Sequence, residues 1–447
     1  MKQYDLIVLG TGGAGYTVAM NCKKAGLSVA IVNNGIFGGT CPVRGCIPKK
    51  VLVGAAELLD LSRRLGDVGI VTGQPVASWA ELIKFKRTFT DPVPASSEKA
   101  LRKAGIDIYQ GRPQFTGNLQ IDVAGQYLQA KQVHIAVGAK PAVLAIEGAE
   151  HVITSDDFLE LDDLPKRLLF IGGGYISFEF AHVAARFGAT VTILHNTEQP
   201  LAAYDRDIVE TLIEASHEIG ITVEVGANVV AIRQDNGSYH VETDDGRSFE
   251  TDLVIHGAGR PPALDGLELE KTNVDYDKKL GILVDEYLQS TSNPRVTAAG
   301  DAAAAGPPLS PVASDQGAIA AENILKAKSR RMPSYVSTPS VVYTTPCVAK
   351  VGYTEGEAQA QSIDYDVIVS DLAKWFDAKR TNLKFSKSKI LVEKRTNKIV
   401  GAHIIANHAE DLINIFSLAI ELGLTSEQLK QPLFAFPTAT DDLRSMF

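Results

Sequence analysis

The chain is poor in cysteine, tryptophan and methionine, with four, two and four of them among 447 residues. It also lacks any uninterrupted apolar run long enough to span a bilayer. Each shortage closes a class. Four cysteines in a chain of this length do not make a disulfide framework, and a cytosolic protein with one special thiol pair fits better. The apolar start, YDLIVLG, is broken by Asp5 and by glycines at 10, 12, 13 and 15, so it reads as a strand and turn rather than a signal peptide. The net charge of −9 argues against a nucleic-acid surface, which needs dense Lys and Arg. We therefore expect a cytoplasmic protein with neither a membrane nor a nucleic-acid partner. There is no low-complexity segment, and the length suffices for about three domains.

What is present is a repeated unit. YDLIVLG reads as a buried strand, Gly10, Gly12 and Gly15 form a turn, a helix runs to Ala25, and SVAIV is the next strand. The pattern returns as RLLFIGG, a turn carrying Gly172, Gly174 and Ser177, a helix over 175–187 and the strand ATVTIL. Glycine there lets backbone approach a pyrophosphate at a helix N-terminus, where free N–H groups and the dipole favour anions. Two such units imply two nucleotide cofactors; a tight structural turn is the competing reading of each. Residues 51–110 read as helical with a polar break near 72–78, followed by strands ending at HIAVGAKP. VVAIRQ, YHVETDD and DLVIHGAGRPP read as a meander of strands. From about residue 334 the strands VVYTT, LKFSKS, ILVEKR and IVGAHIIA and a helix over 408–422 suggest a separate α+β domain.

Cys41 and Cys46, with four residues between them, follow the first nucleotide unit. A thiol pair beside a redox cofactor can cycle between disulfide and dithiol. The alternatives are a zinc site, for which a second thiol pair is missing and the spacing is wrong, and two inert thiols. Cys22 and Cys347 read as buried or bystander thiols. No metal site is expected.

Together GGTC…GC-I-P-x-K, GGGYISFE, HGAGRPP, TAAGDAA and FPTATDD, in that order over nearly the whole chain, resemble the class I pyridine nucleotide–disulfide oxidoreductases. That family includes dihydrolipoamide dehydrogenase, glutathione reductase and mercuric reductase. The resemblance implies an α/β fold of two Rossmann-like domains and a C-terminal α+β dimerisation domain. The expected bounds are 1–147 for the first part of the FAD domain, 148–263 for the NAD(P) domain, 264–333 for the return to the FAD domain, and 334–447 for dimerisation. It implies FAD, a nicotinamide nucleotide and a homodimer in which each site borrows residues from the partner's tail. By resemblance Cys46 lies against the flavin and Cys41 faces the substrate. Lys50 and Glu179 correspond to an ion pair near the flavin's reactive nitrogen, for which a structural salt bridge is the competing reading. Tyr175 corresponds to an aromatic lid over the nicotinamide pocket, or else is an ordinary core tyrosine. Asp301 matches the residue that binds the ribitol chain. Gly39, Thr40, Gly138, Gly259 and Arg260 complete the cofactor-contact candidates.

Several positions depart from the pattern. Asn33 stands where an acidic residue usually binds ribose, and an amide offers one acceptor oxygen where a carboxylate has two. Arg44 replaces an apolar residue between the cysteines; a nearby cation would favour a thiolate, and an arginine turned to solvent is the alternative. His195 ends the second strand of the NAD(P) unit where NAD sites carry a carboxylate, which permits NADPH. The arginines typical of NADPH-specific members are missing at Asn196 and Ala202, so NADPH is favoured with NADH as the other choice. Finally, the family's C-terminal His-Pro-Thr, with a glutamate three residues on, reads Phe436-Pro437-Thr438…Asp441. That histidine protonates the leaving thiol, and phenylalanine cannot. The expected activity is transfer of hydride from NAD(P)H through flavin and the Cys41–Cys46 disulfide to a small disulfide, as in glutathione reductase, with Asp441 a candidate to substitute for the histidine. The alternatives are a metal-ion or quinone reductase and a flavin-bound redox sensor without turnover. The four cysteines leave no C-terminal thiol pair, which is expected to set the chain apart from mercuric reductases and large thioredoxin reductases.

Overall fold

A computed structural model describes residues 1–73, 75–326 and 329–447. The chain divides into two compact units: Met1–Lys49, Phe85–Ala142 and Gly259–Tyr335 form the first, and Lys50–Lys84, Val143–Ala258 and Val336–Phe447 the second.

In the first unit the strand Lys2–Leu9 is central, parallel to Val29–Asn33 on one side and Gln126–Ile135 on the other. All five residues of Val29–Asn33 are buried, as a strand covered on both faces requires. Asp107–Gln110 extends the sheet beyond it. Gln126–Ile135 works twice along its length. Its first residues pair antiparallel with Gln120–Val123, and its last three pair parallel with Val296–Ala298. The helix Gly13–Lys24 packs with Ser310–Leu325 through Val18, Ala19, Ile319 and Ala320, where small side chains permit close approach.

The second unit holds a parallel sheet in the order Ile221–Glu224, Thr190–Leu194, Arg167–Ile171, Leu253–His256, Val152–Ile153. The helix Tyr175–Arg186 is buried over most of its length, as its mostly apolar and small residues demand. The C-terminal part is an antiparallel sheet in the order Ser340–Val342, Cys347–Gly352, Ile399–Ala406, Lys387–Glu393, Tyr365–Asp371, backed by the helix Ala409–Glu421. Among the described residues no helix is long and apolar enough to cross a membrane.

Two sequence expectations are corrected, and one strand was not foreseen. The meander is made by Val229–Asp235, Ser238–Thr243 and Ser248–Thr251, whereas Leu253–His256 leaves it for the parallel sheet. Its continuous apolar run marks a strand buried on both faces rather than an alternating one. LKFS is not a strand: Asn382 takes a positive φ of 51° after the short helix Phe376–Arg380, and the strand begins only at Lys387. The edge strand Tyr365–Asp371, mostly exposed, carries too little apolar alternation to stand out.

Candidate active site

The first unit builds the redox segment. Gly39, at φ 77°, faces the phosphate turn so closely that a Cβ there would lie 2.5 Å from the Gly12 Cα. Only backbone meets backbone at this point, which leaves the Gly12 helix N-terminus open to an anion. Gly10 closes the strand before that turn, Gly12 is the N-cap of Gly13–Lys24, and Gly15 is buried one turn in. Asn33 is 4% exposed, and its amide is already engaged. Its Oδ1 accepts from Thr11 Oγ1 at 3.0 Å, and Nδ2 donates to the Gly35 carbonyl and Gln110 Oε1 at 2.6 and 3.2 Å. Asn33 therefore braces the turn.

Thr40 opens a short helix, Thr40–Arg44, and Gly45 separates it from the long helix Cys46–Asp67. Cys46 is the first residue of that helix, where backbone N–H groups favour a thiolate. Cys41 is half-buried and Cys46 exposed, and the two sulfurs are not bonded to each other. The Cys46 pKa is lowered to about 6, first by the hydrogen bond from Cys41 and then by Ser310 and Lys49, against burial. Cys41 is pushed up by the same hydrogen bond and by burial. The pair thus shares one proton, held on Cys41. Ser310 Oγ sits 3.1 Å from Cys46 Sγ. Sequence reading missed this residue, although a Ser-Pro pair at the start of a helical stretch was the available signal.

Six residues on, Gln316 is buried at 1%. It accepts from the Gly300 amide at 2.7 Å and donates to Ala305 O and Tyr335 Oη at 2.8 and 2.7 Å. It fixes the turn that presents Asp301. Burial raises the Asp301 pKa, opposed by the Arg260 charge. Arg260 donates to Ala139 O at 3.1 Å, and the amide of Ala142 reaches Gly259 O at 3.1 Å. Gly138 O accepts from Ala263 at 2.8 Å in the same crossover.

In the second unit Gly172 ends the strand Arg167–Ile171, and Gly174 is the N-cap of Tyr175–Arg186. Ser177 is fully buried, and its Oγ has no hydrogen-bond partner. It fits only because residue 257 is glycine: a Cβ there would lie 1.9 Å from that Oγ. His195 leans over the turn. Its Nδ1 accepts from the Gly173 amide at 3.1 Å, while Nε2 lies 3.1 Å from Gln199 O and 2.8 Å from Thr197 Oγ1. An accepting Nδ1 places the proton on Nε2, so the ring is the neutral tautomer.

Tyr175 is 49% exposed. Glu179, one turn further and 2% exposed, accepts from the Tyr343 amide at 2.8 Å. The Lys50 ammonium forms its ion pairs with Glu57 at 3.2 Å and Glu410 at 3.5 Å, and lies 4.6 Å from the Tyr343 ring centre. Burial alone would lower the Lys50 pKa; the two carboxylates outweigh it and raise it. Glu57 and Glu410 were not foreseen as its partners. Phe436 is 81% exposed, and Asp441 opens a short turn with its amide 3.3 Å from Thr438 Oγ1.

The family described as pyridine nucleotide-disulphide oxidoreductase matches residues 4–317, and its dimerisation domain matches 338–447. The chain belongs to this family. It is 34% identical to a mercuric reductase of Staphylococcus aureus over 99% of this chain and 81% of that one. It is 31% identical to a glutathione reductase of Burkholderia cepacia over 98% of this chain and 97% of that one. Among solved structures, the Cu(II) complex of the HOCl-induced flavoprotein disulfide reductase RclA from Escherichia coli aligns at a TM-score of 0.90 with 26% identity, covering 100% of this chain and 99% of that one. The protein is therefore an FAD-dependent oxidoreductase that uses a nicotinamide nucleotide, with two Rossmann-like domains and a dimerisation domain. Its own residues fit both groups. The Gly12–Gly39 approach leaves a backbone cradle in the first unit, and the Gly172–Gly174 turn with its orphaned Ser177 hydroxyl does so in the second.

Proposed function

We propose that the Cys41–Cys46 pair reduces a thiophilic metal ion, a cupric or mercuric ion, at the expense of NADPH. The observation that carries this reading is Phe436. A family member that cleaves disulfides needs a proton donor for the leaving thiol, and a positioned acid typically contributes about 10²–10⁴ in rate. A soft cation bound by thiolate needs none. The mercuric reductase likeness and the copper complex of the structural neighbour support the same choice.

Bound FAD supplies the relay by which hydride from the nucleotide becomes two electrons at sulfur. The chain's own residues do the rest. Cys46 is held as thiolate by Cys41, Ser310 and Lys49. The metal substrate displaces the proton of Cys41. Two cupric ions take one electron each, the sulfurs join as a disulfide, and one proton leaves with the two cuprous ions. Gly10, Gly12, Gly15, Asn33, Gly39, Thr40, Gly138, Gly259, Arg260 and Asp301 serve FAD. Gly172, Gly174, Tyr175, Ser177 and His195 serve the nucleotide. Neutral His195, in the place of a carboxylate, puts no negative charge against a 2′-phosphate, which favours NADPH. Lys50 and Glu179 act beside the flavin, and the domain over 338–447 pairs two copies.

A small disulfide is the second reading, favoured by the glutathione reductase likeness. Anaerobic NADPH oxidation with chelated cupric ion or with glutathione disulfide, in wild type and Cys41→Ser, tests both. Faster turnover with copper that collapses in Cys41→Ser supports the proposal. Faster turnover with the disulfide overturns it, and copper turnover that survives the substitution shows that the metal bypasses the thiols.

A further inference from the structure

The second unit contains a cavity of about 690 Å³ that none of the candidate site residues lines. Its walls come from the end of the helix Cys46–Asp67, from the helices Tyr175–Arg186 and Arg206–Glu218, and from residues 345–346 and 382–385. The volume suits a small organic ligand.

Its charged lining is unbalanced. Arg186, with a side chain 1% exposed, pairs with Asp60 at 2.7 Å. Arg64 pairs with the other oxygen of the same carboxylate, also at 2.7 Å. Arg63 donates from Nη2 to the Arg186 carbonyl at 3.0 Å and forms no ion pair among the described residues. Two guanidiniums thus share one carboxylate, with Arg63 beside them and Asp67 also on the wall. Burial lowers the Arg186 pKa, Asp60 opposes this, and the charges of Arg63 and Arg64 add to the lowering. At the mouth Lys384 and Glu218 neutralise each other. The rest of the wall includes Ala215, Ile219, Pro346 and Leu383, which are apolar.

Four cations, Arg63, Arg64, Arg186 and Lys384, face three carboxylates, Asp60, Asp67 and Glu218, around the cavity; the remaining positive charge is relieved by an oxyanion, which arginine's planar fork matches. The apolar wall asks for a hydrocarbon body behind it. We propose that this cavity binds a small molecule with one oxyanion head, phosphomonoester or carboxylate, and an apolar body, with Arg63 as its principal anchor.

Phenyl phosphate, benzoate and inorganic phosphate are the probes, titrated calorimetrically into the FAD-loaded protein with the nucleotide site saturated by NADP⁺. Saturable binding of phenyl phosphate or benzoate, tighter than inorganic phosphate and weakened about 10-fold or more by Arg63→Gln, is expected. Charge-assisted hydrogen bonds of this kind support a loss of that size. The stronger of the two organic probes identifies the head group, and either one supports the site. Arg63 is exposed, so Arg63→Gln should melt as wild type does. A second variant, Ser62→Tyr, fills the cavity and should also abolish binding. No saturable binding, binding indifferent to both variants, or binding seen only without NADP⁺ would each overturn the proposal.

Discussion

Ser310→Ala is the most direct probe of how the fold poises sulfur. The Ser310 hydroxyl lies 3.1 Å from Cys46 Sγ, and the Cys46 pKa is about 6. A hydrogen bond to a charged group is worth about 1.5–3 kcal/mol. Sulfur is a weak acceptor and Cys46 is exposed, so about half of the upper figure is a reasonable expectation. At about 1.4 kcal/mol per unit, the thiolate pKa should rise by roughly one unit, to about 7. Cys41 and Lys49 continue to favour the thiolate, so the value should stay below that of an ordinary thiol. The sign for stability follows. A depressed folded-state pKa stabilises the reduced protein above the unfolded thiol's pKa, and that contribution fades as pH falls through about 6. Ser310→Ala moves the lower edge of this window upward. The assay is the pH dependence of alkylation of the reduced protein by iodoacetamide, read at Cys46 by mass spectrometry. A midpoint that moves by less than about a few tenths of a unit would refute the assignment of Ser310 as a thiolate partner.

Phe436→His should raise glutathione disulfide turnover, with about 10²-fold as the lower end of what a positioned acid supplies; an unchanged rate in a folded, flavin-loaded variant would mean that the missing proton donor is not what limits that reaction. Gly39→Ala places a methyl 2.5 Å from the Gly12 Cα at a positive φ and should yield protein purified with little FAD; a wild-type flavin-to-protein absorbance ratio would count against the cradle. Asp60→Asn leaves the guanidinium of Arg186, 1% exposed, without its counter-charge and should cost about 3 kcal/mol or more. A wild-type urea midpoint would show that the carboxylate is not needed.

The two nucleotide units were legible because their signals are local. A strand, a glycine turn and a helix occupy about thirty contiguous residues, and the turn chemistry leaves little choice. The first strand, the helix Gly13–Lys24 and the second strand fall where the periodicity places them. Leu253–His256 was misassigned because a short apolar run says that a strand is buried but not which sheet buries it. Tyr365–Asp371 was missed for the opposite reason: an exposed edge strand needs no apolar pattern.

The site divides along the same line. Cys41, Cys46 and Gly39 lie in one segment, and their spacing carries their chemistry. Ser310 lies 264 residues from Cys46, and Glu410 lies 360 from Lys50, so only folding reveals those contacts. The arrangement also separates two kinds of control. Thiolate formation is settled by groups within one unit, chiefly Cys41, then Ser310 and Lys49. Proton supply to a leaving group belongs in this family to the C-terminal tail, where Phe436 now stands. A substitution there can therefore change which acceptor is reduced without disturbing the pKa of Cys46. Combining Ser310→Ala with Phe436→His tests that independence. If the two controls are separate, the shift in alkylation midpoint and the gain in disulfide turnover should each persist unchanged in the double variant, because independent sites are additive. A midpoint that moves with Phe436→His alone would show that the tail reaches the thiolate itself.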